Sequence, residues 1–214
     1  MRRIAIGLAV IGTMLFGAST AQASTLGSFG GIIFYTASPG EKNDVVVSPA
    51  TEFGGTVPLY IFKDADANPI TITGGPCELL NGIGMCRQEF VGSMVIDLRD
   101  KDDTAVVSEA SDPLIGPIHR GAIIIGGRGN DTLTGGLGGD ILKGNDNRDS
   151  LRGRGGADTY KGGRGRDNLQ TLDGIRDTFI SCGDGGGDVL RKDAIDPRGH
   201  HCEFSNHGNP SKPH

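Results

Sequence analysis

The chain of 214 residues has no tryptophan, and aromatic residues make up only 5 % of it. Its core therefore cannot rest on large rings and has to be filled by Leu, Ile and Val. Histidine is scarce as well: His119, His200, His201, His207 and His214 are all there is, and none precedes residue 119. A serine triad or a histidine-ligated zinc site in the first half would lack its base or its ligands. Neither HExxH, nor G-x-S-x-G, nor a Cys-His nucleophile arrangement occurs. No enzymatic activity is expected, although paired carboxylates for glycoside hydrolysis stay open because acids are abundant. His200, His201 and His207 lie in a polar segment and read as solvated side chains. Outside the N-terminus no apolar run is long enough for a membrane-spanning helix, and no long amphipathic helix offers a means of insertion.

The residues MRRIAIGLAVIGTMLFGASTAQA have Arg2 and Arg3, an apolar run from Ile4 to Ala18, and small residues at Ala21 and Ala23. That is the pattern of a secretory signal peptide over 1–23, with a mature chain starting near Ser24. The mature chain carries 19 basic against 26 acidic residues, about −7 in all. This acidic excess argues against a nucleic-acid partner. Export also frames the cysteines. Cys77, Cys86, Cys182 and Cys202 are an even set, read as two disulfides with three possible connectivities. The expected pairing is Cys77 with Cys86 and Cys182 with Cys202, each closing a local loop. A structural zinc site is the competing reading, but neither spacing resembles its short C-x₂₋₄-C pairs. The expected location is secreted, either extracellular or at the cell surface.

What the chain has in abundance is glycine, and it is periodic. From Gly126 to Gln170 five nine-residue units follow without a gap: GGRGNDTLT, GGLGGDILK, GNDNRDSLR, GRGGADTYK and GGRGRDNLQ. The sixth position is always aspartate (Asp131, Asp140, Asp149, Asp158, Asp167). Two residues later comes a larger apolar or aromatic residue (Leu133, Leu142, Leu151, Tyr160, Leu169). From 126 to 191 there are ten aspartates, no glutamate, and ten lysines and arginines, so the aspartates are not an acidic tail. Arg128, Arg148, Arg164 and Arg166 would moderate repulsion among them as surface charges. Glycine loses the most backbone freedom on folding, so something beyond apolar burial has to stabilise this array.

The repeat resembles the glycine-rich nonapeptide of secreted bacterial proteins with RTX, or haemolysin-type, calcium-binding repeats. The resemblance is strong over 126–170 and looser over 97–203. It implies an all-β parallel β-roll, a β-solenoid in which two nonapeptides make one coil and partners on one face lie 18 residues apart. It also implies calcium as the cofactor, held by glycine-turn carbonyls and by aspartates. Calcium takes six to eight hard oxygen ligands, and stacked strands at about 4.7–4.9 Å let two turns share an ion. The implied metal residues are Gly127, Gly129, Asp131, Gly136, Gly138, Asp140, Asp149, Gly155, Asp158, Gly163, Gly165 and Asp167. The implied pairs are Asp131 with Asp149, Asp149 with Asp167, and Asp140 with Asp158; Asp158 with Asp177 is out of register by one. Asn145 and Asn147 stand where glycines are expected and tolerate the left-handed region. Arg154 fits only with a negative φ. Asp146 reads as a solvated turn residue, with a ligand role as the alternative.

The remaining chain divides around this block. Residues 24–120 form a β-rich lead, read as degenerate coils of the same solenoid in preference to a small sandwich, because Asp103 and Ile124 already show the offset. The coil at 121–125, with Ala122 at the aspartate place and Ile124 at the inward one, is expected to lack metal. Residues 121–180 are the β-roll, 181–205 a disulfide-stapled C-terminal cap, and 206–214 a disordered tail. Asp177 with Phe179 and Asp188 with Leu190 are expected to keep the two-residue offset as the period loosens. Function follows as calcium binding by a secreted structural or interaction module whose folding is calcium-driven. The alternatives are a calcium-dependent adhesin with an extracellular carbohydrate or protein partner, and a small hydrolase or toxin.

Overall fold

The computed structural model describes residues 23–51, 58–65, 70–87, 92–108 and 121–207. The expected signal peptide up to residue 22, His119 and the tail from 208 lie outside them. The described residues contain strands and no helix. The lead comprises β1 (Ser24–Phe29), β2 (Ile32–Thr36), β3 (Asp44–Thr51), β4 (Pro58–Asp64), β5 (Ile70–Gly74), β6 (Cys77–Leu80) and β7 (Ile83–Arg87). Then come β8 (Ser93–Asp97), β9 (Thr104–Val107), β10 (Ala122–Arg128), β11 (Thr132–Thr134), β12 (Ile141–Asp146) and β13 (Ser150–Arg152). The chain continues through β14 (Thr159–Arg164), β15 (Asn168–Thr171), β16 (Phe179–Asp184), β17 (Val189–Lys192) and β18 (Phe204–His207).

These strands form two sheets. One has the order β16-β14-β12-β10-β8-β2-β1-β5, the other β18-β17-β15-β13-β11-β9-β3-β4-β7-β6. From β8 onward every pairing between named strands is parallel, and from β8 to β17 successive strands alternate between the two sheets. The pairing is in register by side-chain type. In one sheet Ile96, Ile124, Leu142, Tyr160 and Ile180 stack in a column, and in the other Ala105, Leu133, Leu151, Leu169 and Leu190 do. All ten side chains are fully buried. Each large aliphatic one contributes about 1.5–3 kcal/mol of burial, which sets the phase of the repeat against slippage.

The lead departs from the expected parallel coil. It adds to the same two sheets, since β2 pairs with β8 and β3 with β9 in parallel. Yet β1 with β2, β3 with β4, β4 with β7 and β6 with β7 are antiparallel, so both sheets are mixed. The reason is local. Gly30-Gly31 and Asn81-Gly82 all have positive φ and form two-residue links that only an antiparallel hairpin accepts. Cys77 and Cys86 face each other across the second hairpin and are disulfide-bonded.

At the far end Cys182 is bonded to Cys202. The segment before Cys202 covers the edge of β16: the His200 amide donates to Ile180 O, and the Cys182 amide to His200 O, both at 3.0 Å. β18 covers β17 in the same way. An otherwise open sheet end is thereby paired. The parallel ladder itself runs beyond residue 180, through β16 and β17.

Candidate metal centre

Because strands alternate between sheets, the turns fall on two flanks. The first flank collects turns 98–103, 126–131, 144–149, 162–167 and 182–188. The second collects 135–140, 153–158, 171–177 and 192–196. Each turn ends on an aspartate, and these aspartates form two hydrogen-bonded files. On the first flank the amides of Asn43, Asp103, Asp131, Asp149 and Asp167 donate to Oδ1 of Asp103, Asp131, Asp149, Asp167 and Asp188 in turn, at 2.7–2.9 Å. On the second the amides of Ala122, Asp140, Asp158 and Asp177 donate to Oδ1 of Asp140, Asp158, Asp177 and Asp196, at 2.6–3.1 Å.

The three expected aspartate pairs are therefore all brought together 18 residues apart. The pair Asp158 with Asp177 forms as well, despite the inserted residue. That insertion lies before Asp177, and the register slips by one more residue after it, where the Thr178 and Phe179 amides both donate to Asp158 O. Ile180 takes the buried position opposite Tyr160, whereas the expected inward residue Phe179 is partly exposed and stacks on His200 with ring centroids 5.3 Å apart. Asp103, Asp188 and Asp196 extend the files beyond the regular repeats. The offset from Asp103 to Ala105 and from Asp188 to Leu190 signals the first two; Asp196 carries no such signal.

The second carboxylate oxygen decides what each aspartate can do. Oδ2 of Asp103, Asp131, Asp149, Asp167 and Asp177 is buried and has no hydrogen-bond partner. Burial pushes the carboxyls of Asp131 and Asp167 up to about 6, those of Asp103 and Asp149 to about 7, and that of Asp177 to about 8, against the backbone hydrogen bonds that lower them. Buried carboxylates with an unused lone pair call for a cation. Burial likewise raises Asp140 to about 6 and Asp158 to about 7.

Glycine makes the room. A Cβ on Gly126, Gly144 or Gly162, and likewise on Gly135 or Gly153 of the second flank, would collide with Oδ2 of the aspartate five residues on, so this room is common to all five repeats. Further along these turns, a Cβ on Gly163 would strike Asn145 O and one on Gly165 would strike Asn147 O. Successive turn carbonyls thus approach the next coil closely. Gly127, Gly129, Asn145, Asn147, Gly163 and Gly165 all have positive φ, so the asparagines adopt the glycine conformation. Arg154 does too, with φ 71°, contrary to the expectation that it would need a negative value. Gly136, Gly138 and Gly155 are not among the residues with positive φ.

Among the described residues no three His, Cys, Asp or Glu side chains converge as a metal cluster. An ion here would have to draw on backbone carbonyls beside the aspartates, a donor set that suits calcium and not zinc. The first-flank turns fit calcium on those grounds: uncommitted carboxylate oxygen, carbonyls directed along the stack, and a cradle that a Cβ would fill. Asp146 is not part of that interior. It lies at the surface between Arg128 and Arg164, 4.0 Å from each, where exposed pairs contribute under about 1 kcal/mol. His201 faces Asp184 at 3.8 Å, also in the open.

Residues 123–145 and 134–169 match the family model of the RTX calcium-binding nonapeptide repeat, in four copies. No curated protein and no solved structure matches the chain. The matched repeats are calcium-binding repeats, and the match ends before Asp177, Asp188 and the capping disulfide.

Proposed function

We propose that this protein is a secreted calcium-binding β-roll whose folding is driven by the metal, serving as a structural or interaction module without enzymatic activity. The observation that carries the reading is the file of Asp131, Asp149 and Asp167, whose buried Oδ2 atoms have no partner in the protein. Bound calcium would supply positive charge to oxygens that otherwise raise the free energy of the folded chain. The carboxylates hold it, the turn carbonyls complete the donor set, and the apolar columns keep successive turns in register.

Two disulfides are at home in an oxidising compartment, which supports export. Outside the cell calcium is plentiful, and a ligand that binds only the folded form stabilises it by RT ln(1 + [L]/Kd), about 2.7 kcal/mol at a hundredfold excess over Kd. The test is far-ultraviolet circular dichroism of residues 24–214 with disulfides intact, titrated with calcium from a chelated start. A cooperative gain of β signal is expected. No spectral or thermal response up to millimolar calcium would refute the mechanism.

A further inference from the structure

We infer that the repeats load calcium on one flank only: the ions belong to turns 126–131, 144–149 and 162–167, while turns 135–140 and 153–158 opposite are closed by the chain's own hydrogen-bond donors. This rests on the calcium reading above and divides the repeats within it. Gly136, Gly138, Asp140, Gly155 and Asp158 are then structural, although Gly136, Gly138, Asp140 and Asp158 occupy the same places in the repeat as the metal-holding set.

The contrast lies in the second oxygen of each aspartate. On the first flank Oδ2 of Asp131, Asp149 and Asp167 has no partner. On the second flank Asp140 Oδ2 accepts the Gly136 amide at 2.7 Å, in addition to the Ala122 amide on Oδ1 at 2.6 Å. Asp158 Oδ2 lies 3.4 Å from the hydroxyl of Tyr160, which itself accepts the Gly153 amide at 3.0 Å. Tyr160 stands where the other four repeats have leucine. Its ring fills the apolar column as leucine does, and its hydroxyl reaches on into the turn that a leucine would leave open.

A fixed cation completes the closure. Arg154 Nη1 donates to Val107 O at 3.1 Å and reaches Gly135 O at 3.5 Å. A guanidinium is thus placed on carbonyls at the very turn where a calcium ion would have to add two further positive charges. Turn 135–140 also has no residue of positive φ, whereas turn 153–158, with Arg154 and Gly156, and every first-flank repeat turn have two, so backbone conformation sets apart turn 135–140 alone. The pattern recurs at the C-terminal end of the second flank, where Lys192 Nζ donates to Asp193 O and Asp196 O at 2.9 and 3.1 Å. Asp177 keeps a free Oδ2 there, so the inference is confined to turns 135–140 and 153–158.

The first-flank file has ends as well as a middle. Where Gly126, Gly144 and Gly162 leave the turn interior open, the corresponding residues of the flanking coils are Leu98 and Cys182, both fully buried. The three repeat turns between them are thus the glycine-lined part of the file.

The test is calcium stoichiometry, measured by equilibrium dialysis with atomic emission on residues 24–214 and on three variants. Asp149→Asn is expected to bind fewer ions per chain. Asp140→Asn should keep the parent stoichiometry and an affinity within about twofold. Arg154→Gly combined with Tyr160→Leu gives these two places the residues that the first, second and fifth repeats have there and should gain at least one ion. Equal loss of ions in Asp140→Asn and Asp149→Asn would overturn the one-sided assignment, as would no gain in the double variant. A parent protein that binds no calcium at all would instead refute the calcium reading itself, so the two failures are distinguishable.

Discussion

Asp149 Oδ1 accepts the backbone amide of Asp131, 18 residues earlier, at 2.9 Å, while Asp149 Oδ2 lies buried without a partner. One oxygen of the carboxylate is structural and fixes the spacing of two coils; the other is free for a metal. The Asp149 amide passes the arrangement on to Asp167. Asp149 is thus the middle member of the file, common to two inter-coil contacts.

The two roles separate by substitution. Asp149→Asn keeps an oxygen that can accept the Asp131 amide and removes the charge. The calcium midpoint of folding should rise at least about tenfold, a loss of about 1.4 kcal/mol, while the chelated protein at pH 8 melts no lower than the parent. Asp149→Ala removes both roles and should lower the chelated melting temperature too, by an unpaired amide worth about 1–3 kcal/mol. Thermal melts with and without chelator check both. Equal behaviour of the two variants would contradict the division of labour.

Protons and calcium should compete. The carboxyls of Asp131, Asp149, Asp158, Asp167 and Asp177 are pushed up to between about 6 and about 8 by burial. With folded values above the ordinary 3.8, the folded chain binds more protons than the unfolded one between about pH 4 and pH 8. Stability of the metal-free protein therefore falls as pH rises through that window. Melting in chelator should be higher at pH 5 than at pH 8, and calcium affinity by calorimetry should run the other way. A chelated protein that is more stable at pH 8 would contradict the assignment.

Gly144→Ala tests the cradle. Its Cβ would collide with Asp149 Oδ2 and lie 2.6 Å from Gly162 O. Overpacking of this kind costs about 1–3 kcal/mol, and the turn should lose its calcium response as well. A chelator-dependent melt reads both. Unchanged calcium response would show that the turn interior is not where the ion lies.

Removing a disulfide should matter more at the cap. Cys182 and Cys202 are 20 residues apart, Cys77 and Cys86 nine. Loop closure alone gives about 3.3 kcal/mol for the first and about 2.6 for the second. The cap bond also holds the segment that pairs the edge of β16. Cys182→Ala with Cys202→Ala should therefore lower the denaturation midpoint more than Cys77→Ala with Cys86→Ala, and should raise aggregation of the exposed edge.

Much of the repeat block was legible residue by residue. A fixed distance from aspartate to inward leucine, repeated five times, can be met by only one phase of two stacked sheets, so Leu133, Leu142, Leu151, Tyr160 and Leu169 had to be core. The local disulfide pairing chosen from the sequence is also the one formed. The lead was less legible. Its β-branched runs show strands but not their direction, and it was the two-residue links Gly30-Gly31 and Asn81-Gly82 that made β1 antiparallel to β2 and β6 antiparallel to β7.

By itself, then, the sequence determined the period, the inward columns, the resemblance to calcium-binding repeats and the aspartates 18 residues apart, because all of these depend on spacing along one chain. Only the tertiary structure decided which aspartate oxygens are left without a partner. Asp140 and Asp149 hold the same place in their repeats, yet Oδ2 of one accepts the Gly136 amide and Oδ2 of the other accepts nothing. That difference arises inside the turn, where the Gly136 amide four residues before Asp140 is aimed at its Oδ2 and where the Tyr160 hydroxyl lies beside Asp158 Oδ2, while the Arg154 guanidinium reaches carbonyls of neighbouring coils; the aim of an amide is set by the three-dimensional path of the turn, which the shared place of the aspartate in each repeat does not express.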